Sequence, residues 1–161
     1  MLFRSAVGDI VPGLQLAHRG FQQGIFVAEE IKGLNPVVIP DVQIPRITYC
    51  DPQIASVGLT EAQARQRGLR YVTSQQDYAG IAYGWAMEDT TGFAKLIADP
   101  ATGQLLGAHI IGPQAPTVVQ PLIQAMSFGL DARSMARGQY WIHPAMPELI
   151  ENALLNLPLD N

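Results

Sequence analysis

The sequence predicts an α+β fold, an antiparallel sheet with helices on one face, and three observations lead there. Short apolar runs broken by turn residues fill residues 46–111. Apolar residues then recur at helical spacing from residue 116 to 157. Finally, 15 glycines and 12 prolines in 161 residues favour many short elements over a helical bundle or coiled coil.

Each element follows from its own residues. Residues 14–32 contain no proline and place Leu14, Ala17, Phe21, Ile25 and Ala28 at helical spacing, predicting a helix that ends at Gly33. Pro36, Pro40 and Pro45 come next, each removing a backbone donor and restricting its predecessor to extended geometry. Residues 36–45 therefore read as a linker between a short N-terminal piece, 1–35, and a domain over 46–161. Residues 46–50 and 54–57 read as strands about an Asp51-Pro52 turn. Thr60-Glu61-Ala62-Gln63 has the form of a capping box and opens a helix that Gly68 closes. Residues 69–78 and 83–88 are weaker strand candidates. Residues 93–98 and 104–111 flank a turn, Asp99-Pro100-Ala101-Thr102-Gly103, so an antiparallel meander is expected. From Pro116, residues Val119, Leu122, Ile123, Met126 and Leu130 form one helical stripe, kinked at Pro121 and ended at Gly129. Ile150, Ala153, Leu154 and Leu157 form another, on a helix begun by Pro147.

Composition excludes whole classes of function. With 10 Lys or Arg against 14 Asp or Glu, a net charge of −4 and no basic run, nothing can track a phosphate backbone, so no nucleic-acid partner is expected. No apolar run is long enough to span a membrane, and a soluble, cytoplasmic protein is expected. Only 15% of residues are charged, against roughly 25% in a typical soluble domain, so part of the exterior is expected to be covered by another chain. Cys50 is the sole cysteine and can form neither an internal disulfide nor a C-x-x-C pair; any dithiol must come from elsewhere. The sequence holds no metal-ligand cluster and no glycine-rich phosphate loop.

The candidate chemistry lies in a few residues. His143 precedes Pro144 and a helix whose first turn holds Glu148. That spacing permits a dyad in which the carboxylate takes the Nδ1 proton and leaves Nε2 as a proton acceptor. It is equally the spacing of a loop histidine and a helix-terminal charge. His109 reads as a half-buried sheet residue. The backbone N–H groups near Leu16, Ala17 and His18, at a helix start, could receive a partly negative ligand oxygen. Gly8-Asp9 could set a carboxylate against a ligand hydroxyl, or form a turn with an Asp cap.

Val7-Gly8-Asp9, then Gly13-Leu14-Gln15-Leu16-Ala17-His18, then Thr48-Tyr49-Cys50-Asp51-Pro52-Gln53-Ile54-Ala55-Ser56-Val57-Gly58-Leu59-Thr60-Glu61, and lastly His143-Pro144-Ala145-Met146-Pro147-Glu148 occur in this order. Together they resemble the C-terminal part of the flavin-dependent pyridine nucleotide–disulfide oxidoreductases, from about Ala6 to Leu157. The resemblance implies FAD and NAD(P)H as cofactors and a homodimer whose final domain forms the interface. It implies a small-molecule disulfide or dithiol, or a lipoyl group, as substrate. On the same basis His143 matches the base that shuttles a proton to and from redox thiols in the partner subunit's site, and Glu148 the residue that orients it. Gly8 and Asp9 match the segment that binds the flavin ribityl chain, while Leu16, Ala17 and His18 match the helix start facing the flavin ring. Residues 1–35 then correspond to the end of an FAD-binding domain and 46–161 to a dimerisation domain.

Within that family, residues 13–67 look most like dihydrolipoamide dehydrogenase, whereas residues 83–93 and 136–145 look more like mycothione reductase. Trp141 stands where the former usually carries a second histidine. The family's glycine-rich fingerprint, C-x-x-x-x-C pair and nicotinamide domain find no match here, and Met1–Ser5 do not continue the apolar strand expected before Gly8-Asp9. Gly20 and Gln23 replace the Ala and Glu often found. The chain thus looks like the last third of an enzyme, inactive by itself. The alternative is a stand-alone, non-catalytic dimerisation or interaction module.

Overall fold

The computed structural model describes residues 4–89 and 91–160. They divide into two units, one ending at Ile44 and the other beginning at Pro45. Of the Met1–Ser5 segment, Met1, Leu2 and Phe3 lie outside the described residues.

In the first unit a 3-10 turn, Gly8–Ile10, precedes helix α1, Ala17–Ile31. The helix starts later than its apolar spacing predicts, and Arg19 supplies the reason. Its guanidinium donates to the carbonyls of Pro12 at 2.8 Å, Leu14 at 3.1 Å and Val11 at 3.4 Å, gathering residues 11–14 into a turn instead of a first helical turn. Gly8 N–H donates to Gln23 Oε1 at 2.8 Å, and a Cβ on Gly20 would stand 3.3 Å from Gly8 Cα. Gln23 and Gly20 thus hold the Gly8 turn against the helix. No residue of α1 is buried, and Phe21 and Ile25 of the predicted stripe are exposed. Gly33, at φ +72°, ends the helical segment in the left-handed region, as predicted.

The second unit contains strands β1 (Arg46–Thr48), β2 (Ile54–Gly58), β3 (Val72–Asp77), β4 (Phe93–Ala98) and β5 (Leu105–Ile111). Its helices are α2 (Glu61–Gln66), α3 (Ala82–Ala86), α4 (Ala115–Val118), α5 (Gln120–Phe128), α6 (Ala132–Arg137) and α7 (Glu148–Leu155). All strand pairs are antiparallel, in the order β1-β2-β5-β4-β3. Only β3, β4 and β5 form the expected meander. The segment through α2 carries the chain to the far edge before it returns, so β2 pairs with β5.

Alternation along the strands sets the two faces. Ala55, Val57, Ala94, Leu96, Ala98, Ala108 and Ile110 join the buried side chains of α4 to α7 in one core, among them Leu122, Leu149, Ile150 and Ala153. On the opposite face, Lys95 pairs with Glu61 of α2. Thr60 caps that helix in the predicted box, its Oγ1 accepting from Gln63 N–H at 3.2 Å while its own N–H donates to Gln63 Oε1 at 2.9 Å. At the C-terminal end of α7, Ser74 on β3 donates to the Ala153 carbonyl at 2.6 Å.

Three local expectations are corrected. Residues 83–88 form no strand: Ala82–Ala86 is helix α3, its inward positions Ile81 and Gly84 lying three apart while Tyr83 and Trp85 face out. The helix expected from Pro116 with a kink at Pro121 is two helices. Pro121 is the second residue of α5, where its missing N–H costs nothing, so the kink becomes a break at Val119. Leu130 of its stripe lies beyond Gly129 and is exposed. Helix α6 was not anticipated; Asp131 caps it, accepting from Ser134 N–H at 2.9 Å and Ser134 Oγ at 2.6 Å.

Candidate active site

The loop from Gly138 to Pro147 runs between α6 and α7, and it carries His143. Met146 is buried and α7 begins at Glu148, whose side chain turns back toward the loop. His143 Nδ1 lies 2.7 Å from Glu148 Oε1, and the second oxygen, Oε2, accepts from Ala145 N–H at 2.9 Å. Sequence spacing pointed to the His143–Glu148 pair; the Ala145 contact had no signal, because a backbone donor has no residue type.

The electrostatics follow from exposure. The Glu148 side chain is 15% exposed and that of His143 69%. Burial works against ionisation of Glu148, but the hydrogen bonds from His143 and Ala145, together with the charge of His143, hold its carboxyl below the ordinary range. An ionised carboxylate only accepts, so Nδ1 carries the shared hydrogen and Nε2 has its lone pair available in the neutral ring. The pair can therefore take up and release a proton at Nε2.

The other candidates lie on other elements or loops. His109, on β5, is half-buried with Nε2 at 3.0 Å from Leu59 O; burial first, with the charges of Lys95 and Arg46, holds its pKa below the ordinary value. Cys50 is an exposed free thiol whose Sγ lies 3.0 Å from Pro52 O. In the first unit, Asp9 is exposed in the 3-10 turn, and no side chain caps the start of α1 at Leu16, where Ala17 and His18 are exposed. Among the described residues, no group of three or more His, Cys, Asp or Glu is placed to hold a metal ion.

Sequence reasoning found no tethering role for two side chains that fasten the His143 loop. Trp141 Nε1–H donates to Ala136 O at 3.1 Å, and Gln139 Nε2 donates to Met135 O at 3.1 Å. Both carbonyls belong to the last turn of α6, where helix acceptors lack intrahelical partners. The only hint was a helix end followed closely by side-chain donors.

The second unit is thus a five-stranded antiparallel sheet backed by helices, with a histidine just before the last helix paired to a carboxylate on that helix's first residue. The family model for the pyridine nucleotide-disulphide oxidoreductase dimerisation domain matches residues 44–154, and the chain belongs to that family. Mycothione reductase from Mycobacterium tuberculosis is 50% identical, the match covering 94% of this chain and 34% of that protein. Dihydrolipoyl dehydrogenase from Mycobacterium leprae is 37% identical, covering 94% of this chain and 32% of the relative. The chain thus spans about a third of the length of these curated relatives. Among solved structures, the HOCl-induced flavoprotein disulfide reductase RclA from Escherichia coli superposes with a TM-score of 0.82 at 26% identity, covering 93% of this chain and 34% of that one. LpdA from Mycobacterium tuberculosis shares the fold, with a TM-score of 0.87 at 21% identity over 92% of this chain and 32% of that one.

Proposed function

We propose that this chain is the interface portion of a homodimeric, FAD- and NAD(P)H-dependent reductase of a small disulfide, and that His143 with Glu148 is its acid/base pair. The observation that carries the reading is the 2.7 Å contact from His143 Nδ1 to a carboxylate that is itself held by Ala145 N–H, beside an imidazole left exposed. In the thiol direction, neutral Nε2 takes the proton of an S–H group, leaving a thiolate and an imidazolium whose Nδ1–H stays on Glu148. In the disulfide direction the imidazolium returns that proton to the departing thiolate sulfur. A thiol of ordinary pKa near 8.5 is mostly protonated at neutral pH, which is why a placed base accelerates the step.

FAD would supply electron transfer between the nicotinamide and a redox dithiol. The donor set of the first unit fits it: Gly8 and Asp9 offer a backbone turn and a carboxylate to ribityl hydroxyls. The start of α1 at Leu16, Ala17 and His18 sets the positive end of the helix dipole where it would stabilise a partly negative ring oxygen. On this reading residues 1–35 end an FAD-binding domain, 36–45 link, and 46–161 form the dimerisation domain. Mycothione is the favoured disulfide substrate, since identity is 50% to the mycothione reductase and 37% to the dihydrolipoyl dehydrogenase; a lipoyl group is the second choice. Exposed Tyr140, Ile142 and Phe128 support an interface with a second copy.

The test is His143→Ala in the complete protein. A fall in disulfide turnover of about 100-fold or more is expected. Turnover within a few-fold of the parent overturns the assignment and favours the association module.

A further inference from the structure

We propose that Trp141 is a positioning residue for His143, acting through the hydrogen bond of its indole N–H to the Ala136 carbonyl. The inference rests on the reading of His143 as the base. Within the loop, Tyr140, Ile142, His143 and Pro144 are all exposed, and Trp141 is the residue of this stretch that turns inward to pack on the core. Its Nε1 reaches Ala136 O at 3.1 Å, and Ala136 is itself buried in α6. Gln139 makes a parallel tether to the carbonyl of buried Met135 at 3.1 Å.

The loop therefore has two anchors. Downstream, Glu148 and buried Met146 fix the chain where it enters α7. Upstream, the indole fixes it on α6, two residues before His143. Two residues of extended chain reach about 7 Å, so nothing between the indole and the imidazole absorbs a displacement of the anchor. Glu148 sets which nitrogen carries the proton; Trp141 sets where the loop holds the imidazole. Ring packing alone would leave the chain free to slide along the core surface, whereas an N–H···O bond to a helix-terminal carbonyl fixes direction.

The test uses Trp141→Phe in the complete protein, which keeps an aromatic ring on the core and removes the donor. Gln139→Ala is a second variant that touches only the parallel, exposed-side tether. The expected result is a fall in kcat of about 10-fold for Trp141→Phe and a smaller fall for Gln139→Ala, with KM for the nicotinamide unchanged. The decisive readout is the double variant with His143→Ala. If Trp141 acts through His143, adding Trp141→Phe to His143→Ala lowers the residual rate no further. Parent-like kcat in Trp141→Phe, or full additivity in the double variant, overturns the inference. If His143→Ala alone leaves turnover intact, the reading of His143 as base has failed instead.

Discussion

His143 and Glu148 are joined at 2.7 Å, yet they live in different environments, the imidazole mostly in solvent and the carboxylate largely covered at the head of α7. The covered partner is the one whose charge orients, and the exposed partner is the one able to meet a substrate.

That asymmetry predicts different consequences for the two residues. Glu148→Gln keeps the shape and the Ala145 contact but removes the charge, and should lower disulfide turnover less than His143→Ala, by about 10-fold, while shifting the pH–rate profile. An unchanged profile would show that the carboxylate does not tune the base. Because folding lowers the Glu148 pKa, its contribution to stability is complete above its unfolded value near 4.5 and is lost as pH falls through the folded value.

His109 titrates in the other functional range. Its folded pKa lies below the ordinary 6.5, chiefly through burial, so the native state is fully favoured above 6.5 and is progressively disfavoured as pH drops below it. The slope from this one group is at most about 1.4 kcal/mol per pH unit. His109→Gln, which retains a donor for Leu59 O, should flatten melting temperature against pH between 7 and 5. Identical slopes in parent and variant would count against the assignment.

Tyr78 is fully buried, and its hydroxyl donates to Pro113 O at 2.8 Å. A Cβ on Gly92 would stand 2.6 Å from the Tyr78 ring and 2.9 Å from Ile111 O. Gly92→Ala should therefore destabilise by about 2 kcal/mol, measured by urea unfolding, as overpacking against a ring and a backbone oxygen does. A neutral result would mean that the ring can retreat.

Ser74→Ala should cost about 1–3 kcal/mol, because the Ala153 carbonyl loses its buried 2.6 Å donor at the end of α7. Equilibrium unfolding checks this. Loss of activity without loss of stability would be the unexpected outcome.

Much of the second unit was legible in its residues. β2, β4 and β5 announce themselves by apolar runs between turn residues, and α2 by a capping box that forms as spelled. The failures share a cause. In α3, outward Tyr83 and Trp85 mimic strand alternation, and only the crowding of Gly84 against the Tyr78 carbonyl, 2.0 Å from where a Cβ would stand, shows which side faces in. Strand order depends on β2 meeting β5 across the sheet, a non-local choice that no window of sequence contains. At the site, His143 and Glu148 were visible as a pair of chemical types, whereas Ala145 contributes an N–H that every residue but proline possesses. Trp141 was noticed only as a departure from a pattern; its bond to Ala136 depends on how the loop returns to α6.

The strand order also has a history in time. Ile54 pairs with Ile111, whereas β4 and β5 meet across a single short turn. A ribosome making this chain releases β2 long before β5, the strand that receives its second edge, exists. Until Ile111 has emerged, the β2 edge stands open, a template for the wrong neighbour, and its closure awaits the slowest kind of encounter, one between distant parts of the chain.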